Sequence, residues 1–170
     1  PSGEGFDTNL AVAQIYRPII RGYFCVAAIY YVLMTPTHFE AFTGIDLMMM
    51  AGASVTAAIF LSVAWFAVRN PLPIGQLEIL TGIANVFLLA NVLVAIHLGY
   101  QPAKLSYFIM MAMIFAFACV SMRQAIISIA AVMAGLFYEL FRHDAGQISL
   151  YGYVAFAAAM SALAITYFLR

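Results

Sequence analysis

Apolar and polar positions divide the chain into six apolar runs separated by short polar breaks. The first three are "PIIRGYFCVAAIYYVLM" from Pro18 to Met34, "DLMMMAGASVTAAIFLSVAWFAV" from Asp46 to Val68, and "IGQLEILTGIANVFLLANVLVAIHLG" from Ile74 to Gly99. The others are "KLSYFIMMAMIFAFACVSM" from Lys104 to Met122, "RQAIISIAAVMAGLFYELF" from Arg123 to Phe141, and "ISLYGYVAFAAAMSALAITYFL" from Ile148 to Leu169. Crossing the hydrocarbon core of a bilayer takes about 20 mostly apolar helical residues, and each run is near that length. The breaks carry residues that end helices: Pro36 and Gly44, with Asp46 as an N-cap; Pro71 and Pro73; Gly99 and Pro102; Gly146. "SMRQ" is the weakest break. It is kept because one helix from Lys104 to Phe141 would be about twice the span needed. The pattern therefore predicts an all-α, polytopic membrane protein, with residues 18–170 forming six transmembrane helices in antiparallel succession.

Composition narrows the environment. The 170 residues are 66% hydrophobic and only 8% charged, with a mean hydropathy of +1.01. Soluble domains carry about a quarter charged residues, so lipid must cover most of this surface. The net charge of zero gives no pointer to nucleic acid. There is no Gly-rich phosphate loop, no CxxC pair and no Ser/His/Asp spacing, so no catalytic activity is expected of this chain. Cys25 and Cys119 lie in apolar runs and imply no disulfide framework. "PSGEGFDTNL" lacks the pattern of a signal peptide. With a cytoplasmic N-terminus, one side holds Arg17, Arg21, Arg69, Arg123 and Arg170, and the other only Lys104 and Arg142. The positive-inside rule then places both termini in the cytoplasm. Tyr and Trp fit interfacial belts, with Tyr16, Tyr23, Trp65 and Tyr167 on the inner side and Tyr30, Tyr31, Tyr100, Tyr138, Tyr151 and Tyr153 on the outer. Residues 1–17 form a cytoplasmic or interfacial segment. "FDTNLAVAQIYRP" is either a helix lying on the inner leaflet, capped by Asp7 or Thr8, or an extension of the first span.

Polar residues within the runs are costly and need a reason. Glu78, Thr81 and Asn85 share one face of the third run, and Asn91 lies on another side. Interhelical hydrogen bonding and a polar ligand pocket are the two readings. No run carries a carboxylate at mid-membrane, which disfavours a pump. Small residues line the second and sixth runs, as at Gly52/Thr56, Ala155/Ala159, Ala158/Ala162 and Ala157/Ser161. They suit close helix packing or, in the sixth, a homodimer seam. Met48, Met49 and Met50, and then Met110, Met111 and Met113, are either packing residues or the soft lining of a pocket. All three histidines fall on the predicted outer side: His38 in the first loop, His97 at the end of the third run, and His143 after the fifth. Glu139 and His143 are i, i+4 on one helical face, a spacing by which a carboxylate orients an imidazole or shares a cation with it. His97, His143, Glu139 and His38 are therefore candidate ligands, with Tyr138, Met48 and Met110 as candidate pocket lining. A divalent metal held by His97 and His143, or haem b, is the cofactor class these residues would suit. Ordinary helix-end polarity is the alternative.

The layout resembles the six-helix, MASE-type sensor modules that precede diguanylate cyclase, nucleotide cyclase or histidine kinase domains in bacterial signalling proteins. The stretch "LSYFIMMAMIFAFACVSMRQAIISIAAVMAGL", Leu105–Leu136, looks like the fourth and fifth helices of such a module, joined by a very short turn with a basic residue, Arg123. The end, "ITYFLR", looks like the exit of the sixth helix toward an output domain. The resemblance implies a sensory and anchoring domain of the bacterial inner membrane. It would bind a ligand, ion or cofactor near its outer face and signal through the sixth helix, as a homodimer, to a cytoplasmic domain outside this chain. No GGDEF-like or cyclase sequence is present here. The alternatives are a b-type haem electron-transfer protein using the same histidines, and a small transporter.

Overall fold

A computed structural model describes the backbone of residues 4–169 and the side-chain surroundings of residues 11–168. The fold is all-α. Six helices follow in order: α1 Glu4–Ala41, α2 Gly44–Ala67, α3 Ile74–Leu98, α4 Ser106–Ala118, α5 Met122–His143 and α6 Ile148–Leu169. Short 3₁₀ turns, Pro102–Leu105 and Ala145–Gln147, lead into α4 and α6. Five helices are long and apolar enough to cross a membrane, and Pro102–Ala118 is a shorter apolar helix. The chain forms two compact units, Pro1–Phe87 and Leu88–Arg170.

In the first unit α1 and α2 form an antiparallel hairpin. Arg17 of α1 meets Val68 at the end of α2, and His38 at the end of α1 meets Ser54 near its start. The buried residues of α2 are Met50, Ser54, Ala57, Ala58, Leu61 and Ala64, and Val68 just past its end is buried too; Ala58 apart, these positions form one seam. Their spacing alternates between four and three, the 3.5-residue period by which two helices keep one seam together. Small side chains dominate this seam, so the two backbones approach closely without a driving force from water. The outward faces carry exposed Ile15, Val26, Leu33, Ile59 and Val63. An apolar exterior around a small-residue interior is what a lipid solvent selects.

Two boundaries differ from the sequence reading. The first helix is continuous for 38 residues, about 57 Å at 1.5 Å per residue. It passes through Pro18, so "FDTNLAVAQIYRP" is helically continuous with the first run, and Asp7 and Thr8 lie inside the helix, their side chains outside the described residues. It also passes through Pro36, and "MTPTHFEA" is its last two turns instead of a loop. Pro36 has no N–H for the Val32 carbonyl, but hydroxyls supply local bonds on either side: Thr35 Oγ1 donates to the Tyr31 carbonyl at 2.7 Å and Thr37 Oγ1 to the Met34 carbonyl at 2.8 Å. The reversal is then made by Phe42 and Thr43 and by Gly44, whose φ of +60° suits glycine. Thr43, not Asp46, precedes the first helical residue, and Asp46 lies in the first turn, where the helix dipole favours a carboxylate.

In the second unit α4, α5 and α6 pack together. Buried positions of α5 are Ala125, Ile129, Val132, Leu136, Glu139 and Leu140, and those of α6 include Gly152, Ala155, Ala159, Ala162 and Thr166. Leu140 apart, both follow an alternation of three and four. The Ala155/Ala159/Ala162 stripe is thus used inside the chain, and Thr166 Oγ1 donates to the Ala116 carbonyl of α4 at 3.1 Å. Glycines mark the closest approaches: a Cβ on Gly135 would lie 3.0 Å from Phe108 Cε1, and one on Gly152 3.1 Å from Phe137 Cε1.

The break between the fourth and fifth helices is real and has a local cause. α4 ends at Ala118, and Cys119 is extended at φ −71°, ψ 139°. Ser121 then caps α5, its hydroxyl accepting from the Gln124 N–H at 3.2 Å, while Gln124 Oε1 accepts from the Val120 N–H at 3.0 Å. "SMRQ" is therefore a capping box with its reciprocal bond displaced by one residue. Ser121→Ala is expected to destabilise the second unit by about 0.5–2 kcal/mol, read as a shift of the unfolding midpoint in mixed micelles.

Candidate functional site

The polar residues of α3 are engaged. Thr81 Oγ1 donates to the Leu77 carbonyl at 2.8 Å, and Asn85 Oδ1 accepts from the Tyr23 hydroxyl of α1 at 2.7 Å. Asn91 is buried and Glu78 half-buried, and both have partners. Interhelical bonding accounts for the Asn85 position.

The second unit gathers a polar cluster at the end of α5. Lys104 first fixes the neighbouring turn. Its ammonium donates to the Ala95 carbonyl at 3.1 Å and the Gly99 carbonyl at 2.6 Å, satisfying acceptors that the end of α3 leaves open. The turn carries Tyr100, whose ring stacks on the His143 imidazole with centroids 4.5 Å apart and planes 13° from parallel. One helical turn before His143, Glu139 points inward and is 1% exposed. Glu139 Oε2 lies 3.4 Å from His143 Nε2. Neither Glu139 Oε2 nor the Tyr100 hydroxyl has a hydrogen-bond partner, although both atoms are buried. Leaving such a group unpaired costs about 1–3 kcal/mol. Glu139 also interrupts the apolar seam of α5 at a position where the helix pattern calls for a hydrophobic residue.

His97 has a different partner. Arg142 Nη1 lies 2.7 Å from His97 Nδ1. A guanidinium only donates, so His97 accepts through Nδ1 and carries its proton on Nε2. The structure thus separates the two histidines of the second unit: His97 lies with Arg142, and His143 with Glu139 and Tyr100. His38 belongs to the first unit. It is buried in the last turn of α1, not in a mobile loop, and its Nε2 lies 2.9 Å from Ser54 Oγ. Among the described residues no group of three or more His, Cys, Asp or Glu side chains is placed to hold a metal ion, so no third donor completes the expected His97/His143 metal site. The expected pocket lining also faces outward. Tyr138, Met48 and Met110 are each exposed, because the 3.5-residue seams select Met50 and Met111 for burial instead.

Tyr100 is the residue that sequence reasoning missed as a participant, placing it only in an aromatic belt. Its partner is 43 positions away by number, and no local pattern couples them. Burial raises the Tyr100 phenol above its ordinary value, and the charges of Asp144, Tyr151 and Glu139 add to the effect. A raised folded value favours the protonated phenol in the folded state. The associated stability is fully present below the ordinary tyrosine value of about 10 and is lost as pH rises through the folded value. Tyr100→Phe is expected to flatten the loss of thermal stability above about pH 10 and to remove one of the tyrosinate absorbance steps that titrate above the ordinary range. Compared with protein-family models, curated proteins and solved structures, the chain matches none.

Proposed function

We propose that this chain is a sensory and anchoring domain of a bacterial inner membrane. It has six crossings, both termini in the cytoplasm and a ligand-responsive cluster of Tyr100, Glu139 and His143 at the outer rim. The sixth crossing is supported by length. Four 3₁₀ residues and thirteen α-helical residues from Pro102 to Ala118 span about 28 Å, close to the ~30 Å hydrocarbon thickness. The distribution of Lys and Arg supports the orientation.

The observation that carries the sensory reading is the buried Glu139 oxygen that makes no hydrogen bond and lies 3.4 Å from a half-open imidazole. Ionisable groups within membrane helices are costly and are retained where they serve a function. A ligand that satisfies Glu139 and the Tyr100 hydroxyl in one packing of α4, α5 and α6 biases the bundle toward that packing by its differential affinity. α6 carries the change to its cytoplasmic end at Arg170, which lies outside the described residues. A second copy of the chain would be met by the exposed side of α6, where Ala157 and Ser161 lie.

The test uses the full-length protein. Its coding sequence should continue past Arg170 into a cyclase- or kinase-type output domain. Glu139→Gln and His143→Ala should each change output activity several-fold at unchanged membrane abundance. Unchanged output in both variants contradicts the reading. An absorption spectrum separates the electron-transfer alternative: a Soret band abolished by His97→Ala or His143→Ala would assign a haem, and a colourless protein is expected. A coding sequence that stops at Arg170 would favour a transporter.

A further inference from the structure

The other end of the α1–α2 hairpin holds a feature that ligand sensing does not use. Two arginines there lie over the only tryptophan of the chain, and a third binds the end of α2 beside them. Arg17 Nε donates to the Val68 carbonyl at 2.8 Å, which occupies one of its five N–H donors. The Arg69 guanidinium lies 4.5 Å from the Trp65 ring centre and 4.3 Å from that of Phe66. The Arg21 guanidinium lies 5.6 Å from the same Trp65 ring. Arg21 and Arg69 are exposed, and among the described residues no hydrogen bond or carboxylate engages either guanidinium.

The negative end of the α2 dipole, about half an elementary charge, balances only part of this charge. Like charges gathered beside lipid repel one another more strongly than in bulk water. The site therefore calls for an anion. The surroundings specify which kind. Ile59, Val63 and Phe66 form an exposed apolar stripe on α2, and the stripe ends beneath the Arg69 guanidinium. Tryptophan beside arginine is the side-chain pair of the membrane–water interface. Guanidinium forks match phosphate oxygens in pairs.

We infer that Arg17, Arg21, Arg69 and Trp65 form a binding site for the headgroup phosphate of an anionic phospholipid, with an acyl chain lying along Ile59, Val63 and Phe66. The inference rests on the membrane embedding of the hairpin and is independent of any outer ligand.

The single tryptophan supplies the test. The full chain is reconstituted in phosphatidylcholine vesicles in which a small fraction of the lipid is replaced by dibrominated phosphatidylglycerol or, in parallel, dibrominated phosphatidylcholine. Quenching of Trp65 should report a relative affinity of about tenfold for the anionic lipid, as expected for basic side chains at a membrane surface. The preference should fall close to one in the Arg21→Gln/Arg69→Gln double variant. Both side chains are exposed, and its helical circular dichroism should match wild type. Arg123→Gln, which removes a charge in the second unit, should leave the preference intact. Equal quenching by the two lipids in wild type overturns the proposal, as does a preference abolished by millimolar inorganic phosphate, because the site then takes a soluble anion. Quenching by neither lipid would overturn the membrane embedding itself, so the two failures are distinguishable.

Discussion

Glu139→Leu is expected to stabilise the second unit by about 1–3 kcal/mol, seen as a higher unfolding midpoint in mixed micelles. The carboxylate is 1% exposed and occupies a seam position of α5 between Leu136 and Leu140. Its Oε2 makes no hydrogen bond. Leucine has a similar volume and continues the apolar pattern. Removing one member of a buried ion pair usually strands the other charge. Here the remaining partner is His143, whose side chain is 25% exposed and reaches water. The substitution therefore removes a desolvation cost without creating one. Stability gained together with output lost is the signature of a residue kept for function at the expense of packing. A loss of stability in Glu139→Leu would mean that the contact with His143 outweighs burial, and the case for an open ligand site would fail.

Phe108→Ala is expected to cost the same unit about 3–5 kcal/mol, the range for truncating a fully buried phenylalanine. Phe108 is 0% exposed, and its ring edge lies where a Cβ on Gly135 would be 3.0 Å away. Gly135 thus admits the ring, and Leu89 and Leu93 close the space beside it. Water entropy contributes little to packing inside lipid, so the loss is chiefly of dispersion contacts and close fit. The relevant measurement is again reversible unfolding, with Gly135→Ala as a companion. If Gly135→Ala is harmful alone and partly rescued by Phe108→Leu, the two positions share one packing space. Independent effects would place the ring elsewhere.

The apolar helices were legible because lipid imposes one rule on every residue of a span. Five long apolar helices and one shorter one occupy the six predicted runs. Boundaries were legible where a side chain acts on its own backbone. Ser121 and Gln124 write the α4–α5 break into four consecutive residues. Proline misled the reading at Pro36, since hydroxyls and neighbouring helices let a membrane helix continue past the missing N–H. The Glu139–His143 pair was legible because its i, i+4 spacing is local. Tyr100 over His143, Arg142 on His97 and Ser54 on His38 were not, because each joins separate helices or turns. The methionines failed for a related reason. Three in a row cannot share a face, and the helix phase that buries Met50 turns Met48 and Met49 outward.

The central claim is that six helices, α4 included, cross the membrane and return the chain to its starting side. The most direct measurement is the sidedness of single cysteines, introduced at exposed turn positions after Cys25 and Cys119 are replaced by alanine. A membrane-impermeant maleimide applied to intact cells should label Gln101→Cys and Gly146→Cys. Asn70→Cys and Arg123→Cys should react only after permeabilisation. Labelling of Gln101→Cys and Arg123→Cys from the same side would show that α4 does not cross, and would contradict the six-span account.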